Sequence, residues 1–264
     1  MDYRKICEQT REIALEVGKY IIGKQGKFLY ESIETKGKQN FVTEVDKEAE
    51  QRLAKNLEKI IPDSGFIVEE GTIKKKGGKY NWIIDPLDGT TNYIHNAPPV
   101  AISIALMENG ELVVGVILEL SLNECFYSFK GSPSYLNGKE IRVSSVDKVK
   151  NSLIATGFPY HNFSRLQPFM DTLSYFFNNS HGVRRMGSAA TDLAYVACGR
   201  YDAFYEYNLN PWDVAAGSFI IQQAGGKIAD FKGGNNYLFG KEIVATNNKI
   251  FTEFLGIVGN FMNK

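Results

Sequence analysis

The sequence predicts an α+β fold of stacked helical and sheet layers, with antiparallel sheet early in the chain and mixed sheet later. Three observations carry this. Two amphipathic helices open the chain, three apolar runs between residues 100 and 129 follow closely on one another, and beyond residue 150 short strands alternate with helices. Amphipathic helices need a sheet or a second helix to cover their apolar stripe. Closely spaced apolar runs joined by tight turns read as an antiparallel meander.

Residues 3–22 are expected to form a helix, because Ile6, Ile13, Val17, Tyr20 and Ile21 recur near helical spacing. Residues 44–61 give a second helix with Val45, Ala49, Leu53, Leu57 and Ile60 on one face. Thr43 is its expected N-cap, Asp46 three positions later completes a capping-box pattern, and Pro62 ends it. A turn at 63–65 leads into a short strand, Phe66-Ile-Val68, followed by a Gly- and Lys-rich surface loop at 71–79. Residues 81–84 are a buried strand running into an acidic motif. Strands follow at 100–107, 112–118 and 124–129, with Asn109-Gly110 as the hairpin turn between the first two and Asn137-Gly138 as a further tight turn.

In the second part, 152–156 reads as a strand and 164–178 as an amphipathic helix. Residues 188–198 read as a helix closed by Gly199, and 201–206 as a strand. The helix at 212–224 has Pro211 at its start and Gly225-Gly226 past its end, the expected asymmetry. Strands at 227–229 and 242–245 and a last helix complete the chain. The whole reads as one unit of two halves, 1–147 and 148–264, with no flexible linker between them.

With 264 residues, a single unit buries roughly three quarters of its unfolded surface. Thirty Lys and Arg balance thirty Asp and Glu, so no global field favours nucleic acid or an anionic membrane. No stretch approaches the ~18 apolar residues of a membrane span. The charged start Met1-Asp-Tyr-Arg-Lys-Ile-Cys7 lacks a signal-peptide core, which with three widely spaced cysteines, Cys7, Cys125 and Cys198, predicts a cytoplasmic protein with reduced, buried thiols.

Asp85 and Asp88 stand three apart directly after a buried strand, with Pro86 stiffening the turn. Paired carboxylates of this kind suit a hard cation such as Mg²⁺. Gly89-Thr90-Thr91 lets the backbone approach a ligand, and a helix starting there aims its N–H groups at an anion. Taken singly, the other acids have plainer accounts. Glu69-Glu70 is a solvated pair, Asp213 complements a helix dipole, and Asp46 is a capping acid. Taken together, three acidic sites at strand ends and helix starts ask for one explanation.

Asp85-Pro-Leu-Asp-Gly-Thr-Thr-Asn-Tyr93 and Trp212-Asp-Val-Ala-Ala-Gly217 resemble the two signature motifs of the inositol monophosphatase family. Val42-Thr-Glu-Val-Asp46 and Val68-Glu-Glu70 resemble its upstream acidic motifs. Arg185-Met-Gly-Ser-Ala-Ala-Thr-Asp-Leu193 and Phe204-Tyr-Glu206 resemble its substrate-side segments. The resemblance covers nearly the whole chain and implies the five-layer α-β-α-β-α sandwich shared by inositol monophosphatases, fructose-bisphosphatases and sugar phosphatases. The halves then become a metal-binding one and a substrate-side one.

It also implies roles. Glu69, Asp85 and the Leu87 carbonyl would hold a first Mg²⁺; Asp85, Asp88 and Asp213 a second; a third, weaker ion would share Glu69 through water. Glu69, Asp46 and Thr90 would be catalytic, with Thr90 relaying a proton from the attacking water and not itself the nucleophile. The backbone of Gly89 and Thr90 would grip phosphate. Asp88, Gly187, Ser188, Ala189, Glu206 and Asp213 would face substrate hydroxyls. Phosphoryl transfer needs charge neutralisation and in-line positioning more than covalent chemistry, which agrees with this set.

The implied reaction is Mg²⁺-dependent, lithium-sensitive hydrolysis of a small polyol phosphomonoester, myo-inositol 1-phosphate first, by a homodimer. Thr91-Asn92-Tyr93 resembles the inositol-type version; nucleotide-type and histidinol-type relatives usually carry a basic residue near position 91. Fructose 1,6-bisphosphate stays open as a substrate. A different class is a regulatory protein binding transcription machinery or RNA, against which the neutral charge and intact acidic set weigh. Arg184 and Arg185 read as substrate contacts or dimer-interface residues, and Lys36 and Lys38 as phosphate-side or solvated lysines. Phe158-Pro-Tyr160 reads as a pocket wall or, the preferred reading, an aromatic turn in the core. His95, His161 and His181 fit no metal pattern.

Overall fold

The computed structural model describes residues 1–26, 34–37, 40–42, 44–159 and 162–263, with 34–37 and 40–42 described by backbone alone. The chain opens with α1 (Tyr3–Lys24), capped by the Asp2 carboxylate, which accepts from the Lys5 N–H. A two-stranded ribbon, β1 (Glu34–Gly37) and β2 (Asn40–Val42), precedes α2 (Glu44–Ile60). The expected cap, Thr43, lies outside the described residues, as do Lys38, Tyr160 and His161; the side chain of Lys36 does too.

Seven strands then make one sheet in the spatial order of the sequence: β3 (Gly65–Val68), β4 (Tyr80–Asp88), β5 (Ala101–Glu108), β6 (Glu111–Glu119), β7 (Glu124–Phe129), β8 (Ser134–Leu136) and β9 (Lys139–Ile141). Only β3 and β4 pair in parallel. Both Asn-Gly turns have positive φ at the Asn and the Gly: 51° and 86° at 109–110, and 48° and 84° at 137–138. That is the twist-matched hairpin geometry their sequence demands.

A second, five-stranded sheet holds β10 (Leu153–Thr156), β11 (Gly182–Arg184), β12 (Ala203–Tyr207), β13 (Lys227–Ala229) and β14 (Glu242–Thr246) in the order β11-β10-β12-β14-β13. Its first three strands are parallel and the last two pairings antiparallel, a mixed sheet as expected. The remaining helices are a single turn, α3 (Thr90–Ile94), then α4 (Leu166–Asn179), α5 (Ala189–Ala197), α6 (Pro211–Gln223) and α7 (Phe251–Met262).

Period-two alternation along the strands sorts the core into three apolar clusters and so produces the layers. Trp82, Ile84, Ile102, Ile104, Val114 and Val116 face α1 and α2. Ile83, Ala101, Ala105 and Ile117 point the other way, onto α5 and α6, which also receive Ala155, Phe204, Ile243 and Ala245 from the second sheet. The far face of that sheet, with Ile154, Tyr205 and Val244, packs under α4 and α7, where Phe176 and Phe254 stack at 5.0 Å. Five layers result, α-β-α-β-α. The central helices are buried and mostly apolar, every residue of α5 and residues 214–221 of α6 being buried, as helices pressed between two sheets must be. No helix among the described residues is long and apolar enough to cross a membrane.

Two differences from the sequence reading bear on function. Strand β4 does not stop at residue 84; it continues through the acidic motif to Asp88. Its register against β5 passes from Asp85↔Ser103 to Asp88↔Ala101, so one extra residue is accommodated as a bulge at Pro86-Leu87. Proline is tolerated there because it has no ladder hydrogen to lose. Strand β11 was not anticipated, since three residues beginning in glycine carry no strand pattern. The cysteines are free; Cys7 and Cys125 are buried, while Cys198 is only partly so.

The N-terminal layer is pinned to the paired strands β4 and β5 by Glu108, which accepts from Lys79, Tyr3 and Tyr80. These donors, Lys79 first, hold its carboxyl down at about 2. A carboxyl held below its unfolded value stabilises fully above that value, ~4.3, and loses the contribution as pH falls toward 2. Glu108→Gln should therefore lower the urea midpoint at pH 7, and the gap to wild type should narrow at pH 3. An equal gap at both pH values would contradict the assignment.

Candidate active site

The bulge in β4 turns the acidic motif inward at the point where three other elements arrive. Ser103, the register partner of Asp85, donates to the Trp212 carbonyl at 3.1 Å and brings the start of α6 to the bulge. Asp213 is the third residue of α6 and forms a reciprocal capping box with Asn210, accepting from its N–H at 2.6 Å. Ser188 caps α5 by accepting from the Thr191 N–H. Its own hydroxyl donates to Asp88 Oδ2 at 2.7 Å, and the Ala190 N–H donates to the same oxygen at 2.7 Å.

The turn into α3 is fixed at Gly89, whose φ of 92° favours glycine and where a Cβ would stand 2.9 Å from the Pro99 carbonyl. Thr90 follows, with its hydroxyl 3.0 Å from both Asp46 Oδ1 and the Leu87 carbonyl. One proton cannot serve two acceptors at once, so the hydroxyl is poised between them. Asn92 then reaches out of α3, its amide donating to the carbonyls of Pro99 and Met186, each at 2.9 Å. That amide ties the first half of the chain to the segment bearing Gly187, Ser188 and Ala189.

Beside this motif, on the neighbouring parallel strand, Glu69 stands at the end of β3, next to Asp85. The loop beyond it is anchored by Glu50, a fully buried carboxylate on α2. Glu50 accepts from the Glu70 N–H at 2.7 Å and from the N–H and hydroxyl of Thr72 at 2.8 and 2.6 Å.

One cavity is lined by Glu69, Asp85, Leu87, Asp88, Gly89, Thr90, Gly187, Ser188, Ala189, Glu206 and Asp213, residues singled out from the sequence. Asp46 lies behind Thr90, a buried acid that serves a hydroxyl from another element and not its own helix alone. The same cavity takes in residues the sequence did not flag individually, among them Gly157, Asp192 and Trp212. Asp192 is buried, with one oxygen lacking a hydrogen-bond partner. It sits within a quoted motif, but nothing in its spacing separates it from the apolar α5 around it.

Arg185 also lines the cavity, whereas Arg184 is exposed and donates to the Val183 carbonyl. Phe158 is not a core residue; it is 45% exposed, lines the cavity and lies under the Arg185 guanidinium at 5.3 Å. His95 and His181 are exposed and outside the cavity.

The electrostatics are those of acids crowded away from water. Burial first, then the charges of Glu69, Asp88 and Asp213, push the Asp85 carboxyl well above its ordinary value. Burial raises Asp88 to about 6 against the opposing pull of Ser188, Ala190 and Arg185. Burial and then Asp88 raise Asp213, while burial, Asp192 and Asp88 raise Glu206, with Arg185 opposing. Carboxylates that disfavour one another's charge in this way form a favourable seat for a cation. In kind, four carboxylates and a main-chain carbonyl fit a hard divalent ion. Among the described residues, however, no three His, Cys, Asp or Glu side chains close around one point. Asp85, Asp88 and Asp213 each spend an oxygen on a donor of their own frame, the Leu87 N–H at 2.9 Å in the first case.

Five stacked layers around one acid-lined cavity define a protein of the sugar-phosphatase fold class. The family model described as the inositol monophosphatase family matches residues 2–258, and the chain belongs to that family. It is 41% identical over 229 residues to a protein of Pseudomonas aeruginosa named Nus factor SuhB, covering 85% of this chain and 84% of that one. To the Mesorhizobium japonicum inositol-1-monophosphatase it is 36% identical over 240 residues, 90% of each. The crystal structure of the extragenic suppressor protein suhB from Bartonella henselae superposes with a TM-score of 0.90 at 34% identity, over 96% of this chain and 98% of that one.

Truncating the Asn92 amide leaves two carbonyls without their donor, a loss of about 1–3 kcal/mol when such groups are buried. Asn92→Ala should show that loss in urea unfolding at pH 7. A change below about 0.5 kcal/mol, the range of ordinary surface substitutions, would mean the tie carries no weight.

Proposed function

We propose that the protein is a Mg²⁺-dependent phosphomonoesterase acting on a small polyol phosphate, with myo-inositol 1-phosphate as the first candidate. The observation that carries the reading is the placement of a hydroxyl, Thr90, against a buried acid, Asp46, at the edge of a cavity lined by Glu69, Asp85, Asp88 and Asp213. In this reading Glu69, Asp85, Asp88, Asp213 and the Leu87 carbonyl would hold two to three divalent ions. Such ions supply positive charge against the phosphoryl oxygens and favour an ionised nucleophile at neutral pH.

The chain's own residues do the rest. Thr90 Oγ1 accepts a proton from the attacking water while its own proton moves to Asp46 Oδ1. The backbone at Gly89 and Thr90 holds the phosphate in line with that water, and Glu69 helps to fix the water's place. Asp88, Gly187, Ser188, Ala189, Glu206 and Asp213 face the hydroxyls of the alcohol. The family membership and the relative named inositol-1-monophosphatase support this substrate class.

Removing a positioned proton-transfer group costs about 10²–10⁴-fold in rate. Thr90→Ala should lower kcat within that range and also lower the thermal midpoint, because it takes a donor from the buried Asp46, whereas Thr90→Ser should keep both near wild type. A variant with full turnover would eliminate the relay.

The name Nus factor SuhB, carried by the relative at 41% identity, favours a second reading: a regulatory protein that binds transcription machinery or RNA. Asp88→Asn separates the two. Phosphate release from inositol 1-phosphate, fructose 1,6-bisphosphate, histidinol phosphate and 3′-phosphoadenosine 5′-phosphate is measured with and without chelator and Li⁺. The enzyme reading expects release from at least one substrate, abolished by chelator and by Asp88→Asn and inhibited by Li⁺. Release that survives the chelator rejects the ion assignment. No release from any of the four, with partner binding intact in the variant, favours the regulatory reading.

A further inference from the structure

Gly157 closes β10 at the cavity wall, one residue beyond the last register pair, Thr156↔Tyr205, so its neighbour across the sheet is Glu206. Two other cavity glycines, Gly89 and Gly187, have φ of 92° and are explained by their backbone. Gly157 has no such conformation. What excludes a side chain there is space. A Cβ built on Gly157 would overlap the carboxyl carbon of Glu206 and both of its oxygens, its three nearest atoms. The bare α-carbon of Gly157 is therefore the floor on which the Glu206 carboxylate lies.

That carboxylate needs a fixed seat, because the charges around it compete. Burial first, then Asp192 and Asp88, disfavour its ionised form, and Arg185 favours it. A buried side chain between opposing charges takes up the place that packing leaves open. A methyl group at 157 would close that place.

We propose that Gly157 is a positioning residue for substrate selection: by lacking a side chain it seats the Glu206 carboxylate on the end of β10, in the orientation from which that carboxylate reads the hydroxyls of the alcohol. The selection role rests on the polyol-phosphatase reading above; the seat itself rests on geometry alone.

The test compares wild type, Gly157→Ala, Glu206→Ala and the double variant. Kinetics use inositol 1-phosphate and p-nitrophenyl phosphate, which has no polyol hydroxyls, and crystal structures are determined for wild type and Gly157→Ala. Sites built to hydrogen-bond a hydroxyl discriminate strongly, so Gly157→Ala should raise KM for inositol 1-phosphate at least about tenfold. It should leave kcat and the KM for p-nitrophenyl phosphate near wild type. On the Glu206→Ala background the same methyl should change neither substrate further, since the atoms it displaces are gone.

An equal loss on both backgrounds, or for both substrates, would overturn the proposal. So would a crystal structure with the methyl accommodated and the carboxylate unmoved. If Gly157→Ala alone fails to fold while the double variant folds, the seat is supported; if neither folds, glycine is required by the backbone and the proposal falls. If wild type hydrolyses neither phosphomonoester, the functional reading fails, and the carboxylate's position in the two crystal structures still decides the seat.

Discussion

Asp85, Asp88 and Asp213 repel one another along the wall of one cavity, Asp85 buried and the other two partly so, and each is kept there by a donor from the surrounding frame. Isolated buried carboxylates would take up protons or turn outward. Here the Leu87 N–H, the Ser188 hydroxyl with the Ala190 N–H, and the Asn210 N–H hold them in place. Those donors come from a strand bulge and two helix starts. The cavity can exist only where these three ends meet, and the layers bring them together.

The five-layer arrangement makes that meeting rigid. Helices α5 and α6 lie between two sheets, so the starts that carry Ser188 and Asp213 are clamped from both sides. A helix on an outer face could slide with its loops. A helix whose whole circumference is buried moves only if both sheets move. Asn92 adds a direct tie between the turn at Gly89 and the Met186 carbonyl.

Much of this was legible in the sequence, for identifiable reasons. The hairpins at Asn109-Gly110 and Asn137-Gly138 are dictated by local conformational preference. The helix at Pro211 carries its start and stop in its residues. The acids Asp85, Asp88 and Asp213 stand out because they occupy strand ends and helix starts within apolar surroundings. What stayed hidden depends on three-dimensional contact. The Pro86-Leu87 bulge is a matter of register with β5. Strand β11 is too short to show a period, and Phe158 looks like core until Arg185 is seen above it. Arg184 and Arg185 are adjacent and chemically identical, yet only Arg185 turns into the cavity. Asp192 is hidden by its apolar neighbours, and Gly157 by having no side chain to read.

Glu50 and Asp46 stand four residues apart on α2, and so on the same face of that helix. One bonds to Thr90 and the other to the loop that follows Glu69. Two neighbouring parts of the cavity wall, the turn at Thr90 and the segment at Glu69, therefore hang from one turn of one helix. Both parts answer to the same stretch of backbone, so neither can be placed independently of the other. A helix far from the phosphate side in sequence thus acts as the common ruler for the hydroxyl at position 90 and the carboxylate at position 69.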